Sequence, residues 1–569
     1  MTQIVRKNGS MYLGILLVWA LCLAHFNPRL FAIVQGADNL AATATFTLFV
    51  AFLNLFWLYG IYHCFFWAYK LLGRPRPTSP PLGDSRPAAI LYTVCNDFKR
   101  DAALACINQH YPDFHVYLLD DSTSIAERQR VDVFHAEFRC QTTVVRRPDR
   151  SGYKAGNLNH ALRHQVRDSV YFAVIDADEV IPPDFLSSTI ACFALGDDIA
   201  FVQANHEQNP RQPSRFADDL ALGIAYHWNI YQPPRNDYGF VIFYGHGAVI
   251  RRDIWEQVGG FPEIVSEDLA FATRVRQHGY RGYFLADCVC YEDFPETFPQ
   301  FRTRHEKWVK GVCQYFHTEF VPFFVSPRVT WPEKADVLMS CVSLFLPALF
   351  LIFVFTANAA LPLLLAERHT LSVTLFGWSV PLMPAFFMEA LFKDLWTPDF
   401  YLITLVGMFA PVFVYLGAAF RQPGKIFKLL FKSAVPYISL IVVSAWAILG
   451  YLFTREAQFT ATGDKALSIS GLNGAQSHFN ANHPWVFKIE TLLGLALTYL
   501  SFMTVNFALL SISTCLLLSP VVARVGWDGR LVSVLVTLPL AFALLAFASM
   551  GVGFMGMQGF SLFFLALHF

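Results

Sequence analysis

Charge is scarce. Only 15% of the 569 residues are Asp, Glu, Lys or Arg, and the 43 basic side chains are balanced by 43 acidic ones. That balance excludes a strongly basic nucleic-acid binder, and with 54% hydrophobic residues it excludes bulk disorder. The eleven cysteines form no C-x-x-C pair. Cys288 and Cys290 stand two apart, a spacing that fits neither a zinc knuckle nor a disulfide framework, so buried free thiols are expected. No Gly-x-Gly-x-x-Gly fingerprint and no Walker loop is present. This argues against a dinucleotide dehydrogenase and a P-loop ATPase. No kinase or hydrolase motif takes their place.

The charge that exists is concentrated. Residues 71–336 carry 62 of the charged side chains and the other 303 residues carry 24. With a mean hydropathy of +0.39, this implies a water-facing centre between membrane-embedded flanks. A spanning helix needs about 20 apolar residues. Residues 12–31 nearly meet this and 41–69 meet it fully. Arg6 and Lys7 precede the first run, and Lys70, Arg74 and Arg76 follow the second. By the positive-inside rule both clusters are cytoplasmic, so the pair runs out and back. The first run lacks a small-x-small cleavage site and reads as an anchor. Further spans are expected at 337–363, 401–420, 491–515 and within 531–569, which has no Asp, Glu, Lys or Arg. Residues 371–388 and 434–453 are left between spanning and lying at the interface. Three domains follow: 1–72 with two transmembrane helices, 73–320 soluble, and 321–569 membrane and interfacial, with a linker at 454–487.

In the centre, β-rich runs at 88–95, 115–119, 142–145 and 169–175 alternate with helical stretches. That pattern predicts an α/β domain with a largely parallel sheet. Polar residues at the carboxyl ends of such strands line the ligand crevice. Three runs end in acids: Asp97, Asp120-Asp121 and Asp176-Ala177-Asp178. Two carboxylates at a strand edge suit Mg²⁺ or Mn²⁺ shared with substrate phosphates. The SGYKAGNLNHAL segment (151–162) places Gly152, Lys154, Gly156, Asn157 and Asn159 at a turn feeding a helix, a setting for phosphate oxygens. His246 and Gly247 precede a short strand. Ser266-Glu267-Asp268 opens a helix that Ser266 can cap. Asp268 is a candidate to take a proton from a hydroxyl. On a helix, Arg304, Lys307 and Trp308 share a face, two cations for a pyrophosphate and one ring for a sugar.

Together these motifs resemble the membrane-integrated, inverting family 2 glycosyltransferases, such as cellulose, curdlan, chitin and hyaluronan synthases. The resemblance implies a GT-A-like domain set between transmembrane helices. It implies nucleotide contacts at Asp97, Asp120, Asp121, Lys154 and Asn157, a metal on Asp176 and Asp178, and catalysis at Asp268 with Glu267. It also places diphosphate contacts at Arg304 and Lys307 and acceptor contacts at Trp308, His246 and Gly247. The stretch FTATGDK resembles that family's gating loop, through Phe459, Thr462 and Lys465, with Ala461 in place of Val and one residue inserted. One departure concerns Gln-x-x-Arg-Trp, which here reads Arg304-His305-Glu306-Lys307-Trp308, and Lys lacks the bidentate fork of Arg. No segment resembles a C-terminal cyclic-di-GMP-binding barrel.

The implied activity is β-glycan polymerisation from a nucleotide-diphosphate sugar, foremost a UDP-sugar, with passage of the growing glycan across a bacterial inner membrane. The implied partners are that donor, the glycan acceptor, the lipid bilayer and export proteins, with no nucleic acid. Two alternatives stand beside it: non-processive transfer to a lipid-linked acceptor, and a glycan transporter with a non-catalytic soluble insert.

Overall fold

The computed structural model describes residues 7–35, 40–72, 80–81, 83, 85–166, 169–357, 371–375, 378–382, 397, 399–400, 402–404, 406–407, 410, 423–457, 480–504 and 507–545. The centre is one seven-stranded sheet in the order β3-β2-β1-β4-β6-β5-β7. The strands are β1 Ala88–Val94, β2 Phe114–Asp120, β3 Thr142–Val145, β4 Tyr171–Asp176, β5 Ile199–Gln208, β6 Ala248–Arg251 and β7 Arg281–Glu292. Strands β1 to β4 pair in parallel, as do β5 and β7, and only β6 runs against its two neighbours. The largely parallel sheet is therefore present, in a GT-A-like domain flanked by long apolar helices.

The strand sequences explain their burial. Residues Ala88–Tyr92 and Tyr171–Ile175 are unbroken apolar runs, and every one of these residues is buried. Continuous rather than alternating apolarity is what a sheet covered on both faces demands. Leu91, Phe172, Val174 and Phe201 pack on one face, while Ile90, Tyr92, Ala173 and Val202 pack on the other. At about 25 cal/mol per Å² of apolar surface removed from water, this two-sided core is the main source of the domain's stability.

Five described helices are long and apolar enough to cross a membrane: Ser10–Gln35, Leu40–Leu71, Lys428–Thr454, Pro484–Met503 and Ala508–Val525. The chain is thus multi-pass with a soluble insert. The first two form a pair whose outer ends meet the α/β domain. Lys7 Nζ donates to the carbonyls of Arg235 (3.1 Å) and Asn236 (2.5 Å). At the other end the Tyr69 and Tyr238 rings lie 5.9 Å apart.

Two expected spans differ, and one run left open is placed in part. The run 337–363 is broken: helices Trp331–Ser343 and Leu346–Phe355 meet at 61°. The first of these is fastened to the α/β domain by buried ion pairs, Arg235 on Asp336 (3.0 and 3.1 Å) and Arg276 on Glu333 (2.7 Å). Pro347, at the start of the second helix, cannot continue the first one's hydrogen-bond ladder. The run 491–515 is two antiparallel helices, Pro484–Thr504 and Phe507–Val525. Gly494 lies against Leu517, and Ser519 Oγ donates to Glu490 (2.7 Å). Within 371–388, Leu371–Leu375 and Trp378–Leu382 form a two-stranded antiparallel ribbon.

The run 434–453 lies within the helix Pro423–Thr454. That helix runs alongside the helix Phe298–Thr318, with Tyr437 on Phe301 (5.6 Å between rings), Ser444 on His305 (2.7 Å) and Tyr451 on His317 (3.3 Å). The described ends of the linker both meet the α/β side. Ala457 packs with Val265, and Ala481 N donates to Glu306 (2.6 Å). The gating-loop candidates Phe459, Thr462 and Lys465 lie outside the described residues, as does most of 401–420.

Candidate active site

Topology decides where the polar residues collect. Parallel β1, β2 and β4 end on one rim, which brings Asp97, Asp120, Asp121, Asp176 and Asp178 to the same edge. Strand β6 is antiparallel to β4, so the residues before it, Gly245, His246 and Gly247, arrive there too. Strand β5 runs against β6, and β7 runs with β5, so His206 and Glu292 at their ends complete the rim.

Asp176 closes β4 and is held from two sides. Thr93 Oγ1 donates to its Oδ1 (3.0 Å), and Lys154 Nζ donates to the same oxygen and to the Gly245 carbonyl (2.8 Å). Desolvation in the cleft pushes the Asp176 carboxyl up, but Lys154 and His246 outweigh it and hold it below its usual range. At Asp178 the opposing charges of Lys99 and His246 are outweighed. Desolvation, then the charges of Asp176 and Glu292, push its carboxyl up to about 8. The donor set fits a hard divalent cation: two carboxylates on one turn, one raised by desolvation and then by the other's charge, both of which a bound cation offsets.

The helix Glu267–Gln277 begins at the same place. The Cβ that Gly245 lacks would lie 3.5 Å from Asp268 Cβ and 3.8 Å from Glu267 Oε1. Gly245 has φ +86, a left-handed backbone that glycine adopts without penalty. Glu267 and Asp268 are both raised, chiefly by desolvation and for Glu267 also by the Asp268 charge, with Lys154 and Lys307 opposing. Ser266 does not cap this helix with its side chain. Its backbone has φ −99 and ψ 54, and its Oγ is directed toward Gly311. Ser266 thus spaces the Glu267 turn from the helix Phe298–Thr318.

That helix opens on a capping box of Thr297 and Gln300 and brings in the cations. Lys307 senses Glu267 and Asp176, although desolvation leaves it below its ordinary value. The Arg304 guanidinium lies 4.9 Å above the Trp308 ring, and Trp308 is 45% exposed. Arg302 points the other way, with its guanidinium fully buried on Glu490 (2.6 Å), Ser519 (3.0 Å) and the Ala481 carbonyl (2.8 Å).

The remaining predicted contacts are placed as follows. Asp97 accepts from Cys95 N (2.6 Å), and desolvation raises it to about 6. Asp120 is buried and engaged on both oxygens, by Ser122 N (3.0 Å) and Arg146 (2.7 Å). Asp121 takes a fork from Arg147 (3.0 and 2.7 Å). Sequence reasoning missed these two arginines. The signal for them is the basic pair that directly follows Val144-Val145. Asn157 Nδ2 donates to the Leu119 carbonyl (3.3 Å), and its Oδ1 is buried without a hydrogen bond. Asn159 is framework, because its amide both donates to and accepts from the Phe261 backbone (2.8 and 2.9 Å).

His246 and Gly247 meet a buried acid rather than open space. His246 Nδ1 is 3.3 Å from Glu179 Oε2 and its Nε2 is 3.5 Å from Glu292 Oε2. Desolvation would lower the imidazole, but Glu179 outweighs it and raises His246 to about 10. Glu179 itself, held also by His206 (2.9 Å), was not singled out from the sequence.

The chain is similar to several known proteins. Residues 171–420 match the family model described as "Glycosyl transferase family group 2". The match begins with the strand that carries Asp176 and includes Glu267, Asp268 and Trp308. "Glucomannan 4-beta-mannosyltransferase 1" of Oryza sativa subsp. japonica is 30% identical over 229 residues, 39% of this chain and 44% of that protein. "Probable glucomannan 4-beta-mannosyltransferase 11" of Arabidopsis thaliana is 27% identical over 310 residues, 52% of this chain and 68% of that protein. Among solved structures, "Mannosyltransferase PcManGT from Pyrobaculum calidifontis in complex with GDP-Man and Mn2+" aligns at TM-score 0.43 and 18% identity, covering 69% of this chain and 99% of that one. The aligned part of the chain thus spans about half the length of the first curated relatives, 44% for the rice protein.

Proposed function

We propose that this chain is a membrane-embedded, inverting family 2 glycosyltransferase that moves a hexose from a nucleotide-diphosphate sugar to a glycan hydroxyl. One observation carries the reading. Asp176, Lys154, the Gly245 carbonyl and the Glu267–Asp268 turn occupy a single rim, with Lys307 facing them. Asp176 and Asp178 would hold a divalent ion, whose charge would offset that of a leaving diphosphate. Lys154 and Lys307 add positive charge to the same side of the cleft, and Asp97, Asp121 and Asn157 border the nucleotide. Asp268 accepts the acceptor hydroxyl proton as that oxygen attacks the anomeric carbon from the far face. The leaving diphosphate departs, and an α-linked donor gives a β-linkage. Desolvation raises the proton affinity of Asp268 against the opposing charges of Lys154, Lys307 and His246, as a base of this kind needs. Trp308, open to solvent, stacks on the acceptor sugar.

The product is read as a β-linked polysaccharide built on the cytoplasmic side and passed through the membrane helices. The rice and Arabidopsis relatives are named as mannosyltransferases, which makes a mannosyl nucleotide the first donor to test beside UDP-sugars. Purified protein in liposomes, given a panel of nucleotide sugars with Mg²⁺ or Mn²⁺, decides among the readings. Long chains support polymerisation. One or a few added sugars support the non-processive alternative, which the Lys307 departure favours. No nucleotide release from any donor refutes the transferase.

A further inference from the structure

Three buried metal-ligand side chains meet beneath the rim, and the reading above assigns them no role. They come from three elements: Glu179 from the turn after β4, His206 from β5 and Cys290 from β7. The β5–β7 ladder shifts register between Ala204 and Asn205, where the pairing jumps from Leu285 to Val289. After that shift His206 and Cys290 are direct partners in a parallel pair, so both side chains leave the same face. Glu179 reaches in from the adjacent turn, and its Oε1 lies 2.9 Å from His206 Nε2. One ligand atom from each residue lies within 4.8 Å of the other two, and Glu179, His206 and Cys290 are all fully buried.

The surroundings are shaped to this cluster. Gly247 has φ +60, and a Cβ there would overlap His206 Nε2 and Glu179 Oε1. His246 Nδ1 stands 3.3 Å from the second Glu179 oxygen, and the ring nitrogen His206 Nδ1 is buried without a hydrogen bond. Buried polar atoms are rarely left so. One nitrogen, one sulfur and one carboxylate oxygen form a donor set that zinc takes, at ligand distances of about 2.0–2.3 Å, which places tetrahedral donors about 3.3–3.8 Å apart. The charges also close among the three ligands: a carboxylate, a thiolate and one neutral, metal-binding imidazole with a divalent ion sum to zero in a dry pocket.

We propose that Glu179, His206 and Cys290 hold a zinc-class divalent ion, flanked by His246, as a structural clamp that ties the Asp176–Asp178 turn to β5 and β7. Binding forms a metal–sulfur bond at Cys290 and releases the thiol proton to solvent, with no change of oxidation state. The site is separate from the two rim carboxylates and does not depend on the transferase reading.

The test is elemental analysis of the full-length protein, purified in detergent and dialysed against metal-free buffer, together with optical spectra after Co²⁺ loading. The wild type is expected to keep about one zinc-class ion per chain, and Asp178→Asn to keep it equally. Cys290→Ser and His206→Gln are expected to lower occupancy at least tenfold. Cobalt-loaded wild type is expected to show a thiolate-to-metal charge-transfer band that Cys290→Ser lacks. The proposal is overturned if the wild type takes up neither ion, if cobalt shows no thiolate band, or if Asp178→Asn removes the metal while Cys290→Ser retains it. Should the variants fail to fold, the wild-type cobalt spectrum decides alone.

Discussion

Manganese binding at Asp176 and Asp178 should tighten steeply as pH rises, because the second carboxyl must lose a proton that burial, and then the charge of the first, holds on it. Asp178 titrates at about 8, through desolvation and the charges of Asp176 and Glu292. Below that value, each pH unit costs about tenfold in apparent affinity. Between about pH 6 and about pH 8 the ionised fraction rises from roughly one in a hundred to a half, so the dissociation constant should fall ~50-fold, or ~2.3 kcal/mol. Linkage gives the matching sign for stability. A carboxyl whose folded value is raised contributes stability that is present below the ordinary carboxylate range and lost as pH rises through about 8. Metal-free protein should therefore weaken as pH rises from the ordinary carboxylate range to about 8, and Mn²⁺ should restore it toward the upper end of that range. Electron paramagnetic resonance of free Mn²⁺ at a series of pH values measures the affinity, and calorimetry in two buffers of different ionisation enthalpy counts the proton released. Asp176→Asn removes one of the charges that raise Asp178, so its residual binding should show a shallower pH profile. Equal affinity across the range, or no proton released at the acid end, would refute the reasoning.

Three further outcomes follow from the geometry. Asp268→Asn should cut transfer by about 10²–10⁴-fold while donor binding, read by nucleotide-sugar titration, stays near normal; ordinary turnover in that variant removes Asp268 from the base role. Gly247→Ala meets a positive φ and the His206–Glu179 contact at once, so a loss of roughly 2–4 kcal/mol is expected, and an unchanged melting curve in detergent would contradict it. Arg302→Met strands Glu490 in the helix packing and should cost about 3–5 kcal/mol, with Arg302→Met/Glu490→Met recovering most of it; additive losses in a double-mutant cycle would show that the pair is not coupled.

The fold class was legible because strand and helix differ in period, and because parallel strands covered on both faces read as unbroken apolar runs such as Ala88–Tyr92. Acids at strand ends were legible for the same reason, since parallel β1, β2 and β4 must finish on one edge. The membrane helices were read less well. Apolar length alone could not show that 337–355 bends, that 491–515 takes in parts of two antiparallel helices, or that 434–453 lies along the helix Phe298–Thr318. Each of those outcomes depends on a partner surface, and a hydropathy window carries no information about partners.

Local pattern thus determined which segments are strands, which residues end them and where charge gathers. Three-dimensional packing decided the rest: Arg146 and Arg147 turning onto Asp120 and Asp121, Lys154 bridging Asp176 to Gly245, and Ser266 spacing its turn instead of capping it. It also brought Glu179, His206 and Cys290 together. They are remote in the chain and share no motif, and a three-residue shift in the β5–β7 ladder is what puts His206 beside Cys290. The physical reason is range. Periodicity and capping act over a few residues, whereas a buried cluster is set by strand order and register, which exist only once the sheet has closed.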